Sequence, residues 1–430
     1  MKRESKMEEV KSKMEDCHTD SELLTQFHKN TPQLRFSGFD DEWEEKKLGN
    51  VSDRVTRKNE NLESTLPLTI SAQYGLVDQI TFFNNQVAST TNLRNYFLVK
   101  NGEFAYNKSY SAGYPWGAIK RLDRYEKGVL STLYIVFKPK NINSDYLLSY
   151  YDTDKWYKQV SEIAAEGARN HGLLNIAPND FFQTTFYAPM SEIEQQKIGT
   201  FLSHVDSLIQ EKTKKLESLK AVKKSLLQKC FPKDGEKVPE MRFAGFSGDW
   251  EEMKLGEVCE INPSSNLPSV FEYVDLESVL GSEMISHRTE FKNNAPSRAQ
   301  RLAKKGDVFY QTVRPYQKNN YLFELDFTNY VFSTGYAQLR PKEINSKFLM
   351  CQIQSDTFVN MVLEKCTGTS YPAINSTELS GISLLVSNDF IEQQKIGQFF
   401  SKYDSLISAQ QKEIDKLKDI KKSLLQKMFV

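Results

Sequence analysis

Residues 193–231 read IEQQKIGTFLSHVDSLIQEKTKKLESLKAVKKSLLQKCF, and residues 391–429 read IEQQKIGQFFSKYDSLISAQQKEIDKLKDIKKSLLQKMF. The two stretches agree at 24 of 39 positions, at an offset of 198. Upstream, PQLRFSGFDDEWEEKKLGNV at 32–51 returns as PEMRFAGFSGDWEEMKLGEV at 239–258, with 12 of 20 identities at an offset of 207. Fainter echoes lie between: KNGEFAY (100–106) against KKGDVFY (304–310), and GVLSTLYIVFKP (128–139) against YVFSTGYAQLRP (330–341). Offsets that fall steadily along the chain describe one collinear duplication, with a few loop residues lost from the second copy. A period near 200 residues lies far above the 20–50 of solenoids. The plan is a globular domain and a long helix, written twice.

Apolar residues in the first helical stretch fall at Ile198, Leu202, Val205, Ile209, Leu216, Leu219 and Leu226. The second stretch matches with Ile396, Phe400, Tyr403, Ile407, Ile414, Leu417 and Leu424. Steps of three and four define a heptad stripe. At 1.5 Å per residue, ~36 residues make a rod of roughly 54 Å, longer than one domain of this size can cover. The spacing therefore predicts two partner helices, paired antiparallel as a coiled coil with pseudo-two-fold symmetry. Lysines crowd the last turns (Lys220, Lys223, Lys224 and Lys229; Lys418, Lys421, Lys422 and Lys427). They suit a solvated helix C-terminus, or a contact with phosphate or an acidic surface.

Composition sets the class. The 430 residues carry 56 Lys+Arg against 56 Asp+Glu, with 39% hydrophobic and 26% charged residues, as in a globular protein of two to four domains. Zero net charge does not announce a nucleic-acid binder, but clustering matters more than the sum. No apolar stretch is long enough for a bilayer, and MKRESKMEEVK lacks the core of a signal peptide. Five scattered cysteines without a CxxC suggest neither a disulfide framework nor zinc. A reduced, cytoplasmic setting is expected.

The interiors 52–190 and 259–388 are rich in Tyr, Phe, Asn, Thr and Val. LYIVFKP (133–139), GDVFYQTV (306–313) and GISLLV (381–386) read as strands, and Asp145–Val160 and Ser346–Leu363 as amphipathic helices. Each domain is then α+β, a curved sheet with one or two helices. Donor-rich loops stand out: Asn107, Lys108, Ser109, Lys120, Arg121, Arg169 and Asn170 in the first domain, and Arg298, Arg301, Gln311, Thr312, Arg314, Lys318, Asn319 and Thr369 in the second. Arg pairs with guanine edges, Asn and Gln with adenine, and Lys with phosphate, so this is chemistry for reading a duplex. Ordinary surface loops favour the same residues.

Catalytic signatures are missing: there is no GxxxxGK[ST], HExxH or GxSxG. Asn262-Pro263-Ser264-Ser265 shares only two residues with an amino-methyltransferase motif and lacks the aromatic that would stack on a flipped base. It reads as a turn. His204 becomes Lys402 in the second copy, which argues against a shared catalytic role.

The RFxGFxxxWxxxKLG lead-in before each domain, with the ExxKIGxFxxxxDxLI…KKSLLQKxF helix after it, resembles the specificity (S) subunit of type I restriction-modification systems. The resemblance covers residues 32–430. It implies a first target recognition domain at 32–190, a helix at 191–231, a linker at 232–238, a second recognition domain at 239–388 and a closing helix at 389–430, with 1–31 outside the pattern. It further implies that each domain reads half of a bipartite, asymmetric DNA target. The helices would set the spacing and dock two methyltransferase (M) subunits, with motor-nuclease (R) subunits joining the complex. S-adenosylmethionine, ATP and magnesium would belong to those partners. The competing readings are a non-catalytic coiled-coil scaffold or adhesion-like protein without nucleic acid, and an enzyme with an unrecognised site.

Overall fold

The computed structural model describes residues 30–72, 74–83, 90–111, 113–164, 174–233 and 235–430. The chain forms two units, residues 1–211 with 414–430, and residues 212–413. The first unit is discontinuous in sequence and the second continuous, and each takes the start of one long helix and the end of the other.

In the first unit, Glu44–Lys47 pairs antiparallel with Thr185–Ala188, so the two ends of the domain are hydrogen-bonded together. The second unit repeats this with Glu251–Lys254 against Ser383–Val386. The returning strand alternates half-buried and buried in both copies, the pattern of a strand with one wet face. A four-stranded antiparallel sheet follows, in the order Ser52–Arg54, Ile135–Pro139, Phe104–Asn107, Ala118–Arg121. Its counterpart runs Cys259–Ile261, Tyr336–Pro341, Val308–Gln311, Tyr321–Leu322. The second unit adds a further four-stranded sheet in which Val270–Val274 and Tyr330–Ser333 are parallel. The α+β reading stands.

Both expected interior helices are broken in two. The first divides into Ser144–Tyr151 and Tyr157–Ile163, and the second into Ser346–Gln354 and Asp356–Lys365. The break in the second is a cap: Ser355 is extended, and its hydroxyl accepts from the Phe358 amide. Periodicity alone carries through such a joint, because the apolar face continues across it.

The long helices are Glu192–Cys230 and Phe390–Met428, each of 39 residues and ~58 Å long. Their stripe is not one continuous seam. Ile198, Leu202 and Val205 lie in the core of the first unit with Trp43, Leu48 and Tyr146; Ile396 and Phe400 lie in the core of the second with Trp250 and Phe348. Leu424, Leu425, Met428 and Phe429 complete the first core, and Leu227, Cys230 and Phe231 the second. Leu216 and Ile414 are buried outside these clusters, whereas Leu219, Tyr403, Ile407 and Leu417 are half-buried. Ile198 and Ile396 are therefore core residues. An aspartate at either would first disrupt its own domain, and would not report cleanly on partner docking.

The duplicated motifs now have a physical account. Arg35 makes a two-bond pair with Glu194 at 2.7 and 2.9 Å, and Arg242 makes the same pair with Glu392 at 2.6 and 2.9 Å. Gln195 accepts from the Asn143 amide and donates to the Pro189 carbonyl; Gln393 does the same with Asn345 and Ser387. A Cβ at Gly199 would fall 2.6 Å from the Tyr146 nitrogen, and one at Gly397 2.6 Å from Lys347 Cβ. Glycine is needed there because a second helix start crosses at backbone distance. The motifs that expose the repeat thus fasten each lead-in to the start of each long helix.

Candidate nucleic-acid interface

The donor-rich loops sit at matching places in the two units. In the second, the segment after Val308–Gln311 turns through Arg314 and Lys318, both in the left-handed region (φ 54° and 56°). The turn is braced from within. Gln311 is buried; its side chain donates to Gln317 and accepts from the Asn319 amide, while its own amide donates to Asn320. Thr312 is also buried and donates to the Gly335 carbonyl. These two residues, expected to meet bases, shape the turn instead. A second strap, Thr367–Ile374, is laced to it: the Arg314 amide donates to Pro372, and the Ile374 amide donates to Thr312. The Arg314 guanidinium lies 4.2 Å from the centre of the Tyr371 ring, which is 63% exposed. A cation on an exposed aromatic face keeps its outward hydrogen-bond donors available, with the plane fixed.

The remaining candidates of this unit divide. Thr369 and Arg298 are exposed. Arg301 is half-buried, its Nε has no partner among the described residues, and burial pushes its pKa down. Asn319 accepts from the Gly281 amide. Lys318 donates to the Gln354 carbonyl and to Asp356.

In the first unit the corresponding turn follows Phe104–Asn107. Asn107 accepts from the Ser109 amide, and Lys108 donates to the Ile176 carbonyl; burial lowers the Lys108 pKa. The Leu174 amide donates to the Lys108 carbonyl, as Ile374 does to Thr312. Lys120 is paired with Asp152 at 2.7 Å, and Arg121 with Asp123 and Asp145. Both are less free for DNA than the sequence suggests. Arg169 and Asn170 lie outside the described residues.

Sequence reasoning placed Tyr110 in a donor-rich loop but gave the aromatics no role of their own. Tyr110, Tyr316 and Tyr371 are each more than half exposed on or beside these turns, and Tyr74, Phe82 and Phe83 form an exposed edge-to-face group in the first unit. The available signal was an aromatic flanked by Gly, Ser and Pro, as in TGTSYP. Exposed aromatic faces of this kind stack on bases or wedge between them.

Among the described residues no cluster of His, Cys, Asp and Glu is arranged to hold a metal ion, and no helix is long and apolar enough to cross a membrane. Residues 247–419 match the family described as type I restriction modification DNA specificity domain. The chain is 24% identical over 319 residues to the MjaVIII specificity subunit of Methanocaldococcus jannaschii, across 70% of this chain and 73% of that one. It is 28% identical over 196 residues to the HindI specificity subunit of Haemophilus influenzae, across 42% and 41%. Among solved structures, the S subunit of a type I restriction-modification system from M. genitalium shares the fold, with a TM-score of 0.59 and 17% identity over 93% of this chain and 99% of that one.

Proposed function

We infer that this chain is a specificity subunit of a type I restriction-modification system, the non-catalytic subunit that recognises the DNA sequence; the matching domain at 247–419 and the likeness to two such subunits support the reading. The observation that carries the reading is a contrast inside each unit. The Arg–Glu pair, the Gln brace and the helix glycine repeat residue for residue, while the turns at 107–117 and 312–320 share almost nothing. One scaffold presenting two unlike readers suits a bipartite, asymmetric target.

We further propose that the long helices form an antiparallel coiled coil that sets the gap between half-sites. In the second unit Lys212 pairs with Glu413, and Lys223 with Asp404; in the first, Lys421 pairs with Asp206. Residue numbers rise on one helix as they fall on the other, which supports opposed chain directions. Two M subunits dock on this frame and R subunits join through them. S-adenosylmethionine, ATP and magnesium are assigned to those partners.

The test is an exchange of residues 52–190 for the same region of another family member, followed by methylome mapping. One half of the target should change and the other stay. A swap that alters both halves or neither defeats the assignment of one reader per unit.

A finer expectation concerns Arg314. With a bidentate guanine contact, Arg314→Ala should cost about 1–3 kcal/mol and relax preference at one base position. Tyr371→Ala should lose about 0.5–1 kcal/mol at that same position, with Tyr371→Phe restoring it, because only the aromatic face is needed. Competition binding with single-base variants reads both. Uniform weakening on every sequence would assign Arg314 to phosphate.

A further inference from the structure

Each unit contains a charge arrangement between its reading turn and the long helices, of four residues in the first and five in the second. In the first unit Asp152, at the end of helix Ser144–Tyr151, receives Lys120 at 2.7 Å and Lys421 at 2.8 Å, and Lys421 reaches on to Asp206 at 2.7 Å. In the second unit Asp356 receives Lys318 at 2.5 Å and Lys224 at 3.1 Å, while the neighbouring Lys223 pairs with Asp404. The correspondence follows the repeat: Asp206 and Asp404 are equivalent, Lys223 and Lys421 are equivalent, and both lysines open the KKSLLQK motif. One lysine bridges both carboxylates in the first unit; two consecutive lysines share the task in the second.

The arrangement starts at the reader. Lys120 lies on strand Ala118–Arg121, which closes the 107–117 turn, and Lys318 lies in the 312–320 turn itself. It ends on the long helices, at Lys421 and Asp206 or at Lys223, Lys224 and Asp404. The apolar joint made by Leu424, Leu425, Met428 and Phe429 is a separate attachment of helix to domain. A single hydrophobic joint permits rocking, because burial is non-directional. Charge-assisted bonds to a second point remove that freedom. Burial would raise the Asp152 carboxyl, yet Lys120 and Lys421 hold it below its usual value; at Asp206 burial prevails and pushes the carboxyl up despite Lys421.

We propose that these two ion clamps fix each reading loop to the helical rod and thereby make the complex selective for a single spacer length. Asp152 and Asp356 are positioning residues, with no contact to bases. The proposal rests on the DNA-recognition reading above.

Asp152→Asn and Asp356→Asn, each in the full chain assembled with its methyltransferase subunits, should leave both half-sites unchanged. Methylation of targets whose gap is one base pair shorter or longer should rise at least about tenfold. Asp152→Glu should keep the single gap. Spin labels placed as noncanonical residues at exposed Lys138 and Lys416 of the first unit should give a narrow distance distribution in the parent, broadened in Asp152→Asn. If Asp152→Asn fails to fold, Lys120→Gln removes only the reader-side bond and takes its place. A variant that keeps a narrow distribution, or methylates only the parental gap, overturns the clamp. A parent complex that methylates no bipartite site overturns the recognition reading instead, and the spin-label result then decides the clamp alone.

Discussion

Arg242→Ala is expected to cost the second unit about 3–5 kcal/mol, because it leaves a fully buried carboxylate without its counter-charge. Glu392 is 0% exposed; it receives Arg242 through two bonds and the Ser387 hydroxyl through one. Removing the arginine leaves a neutral hydroxyl as the last of those donors. Trp250 is the only tryptophan of its unit and packs in the same core against Phe231 and Phe348. The three others, Trp43, Trp116 and Trp156, all lie in the first unit. A urea titration followed by fluorescence of a chain retaining Trp250 alone therefore isolates the second unit, as a two-unit chain requires. Arg35→Ala should act equally on the first unit through Glu194, whose partner geometry is nearly the same. A shift below about 1 kcal/mol for Arg242→Ala would remove the pair from the account of how lead-in and helix are fastened.

That pair also shows where the sequence was informative. Arg35 with Glu194 and Arg242 with Glu392 lie 159 and 150 residues apart in sequence, and only their joint repetition links them. Repetition exposed the frame because a fastening point tolerates little change. The KNGE and KKGD echoes have a similar cause: the first lysine's amide donates to the Glu103 or Asp307 carboxylate across a left-handed glycine. Partners on the far side of those carboxylates diverge, Arg57 in one unit and Arg340 in the other, and no pattern in the sequence announces them.

The readers were legible only in outline. Residue type located the turns, but it did not separate Gln311, folded inward to hold the turn, from Arg314, laid on Tyr371. Both are polar residues in a polar loop, and the distinction is made by tertiary packing. The helix lysines misled in another way. A lysine run near a helix end ordinarily faces water, yet Lys223, Lys224 and Lys421 meet carboxylates from a neighbouring helix or domain. The heptad stripe overstated the coiled coil for the same reason, since its outer residues enter domain cores.

Lengthening the rod should lengthen the gap in the DNA target. In the proposed antiparallel pair, one heptad inserted between Lys214 and Lys215 and a second between Lys412 and Glu413 keep the apolar stripe in phase. These positions lie opposite each other, so Lys212 still meets Glu413, Lys223 still meets Asp404, and Lys421 still meets Asp206. Lys214 and Lys412 are exposed, so the added turns disturb no domain core. Seven residues add about 10.5 Å at 1.5 Å each. With base pairs stacked about 3.4 Å apart, that length corresponds to about three base pairs. A shorter insertion would swing the outer helix segments off the stripe, because 3.5 residues separate successive seam contacts. Each recognition domain must also stay on its own face of the duplex, and its rotation about the DNA axis sets the final increment. The direction is the firm expectation: methylome mapping of the double insertion should return both parental half-sites with a longer gap between them. An assembled, active variant that keeps the parental gap would show that the helices join the two readers without measuring the distance between half-sites.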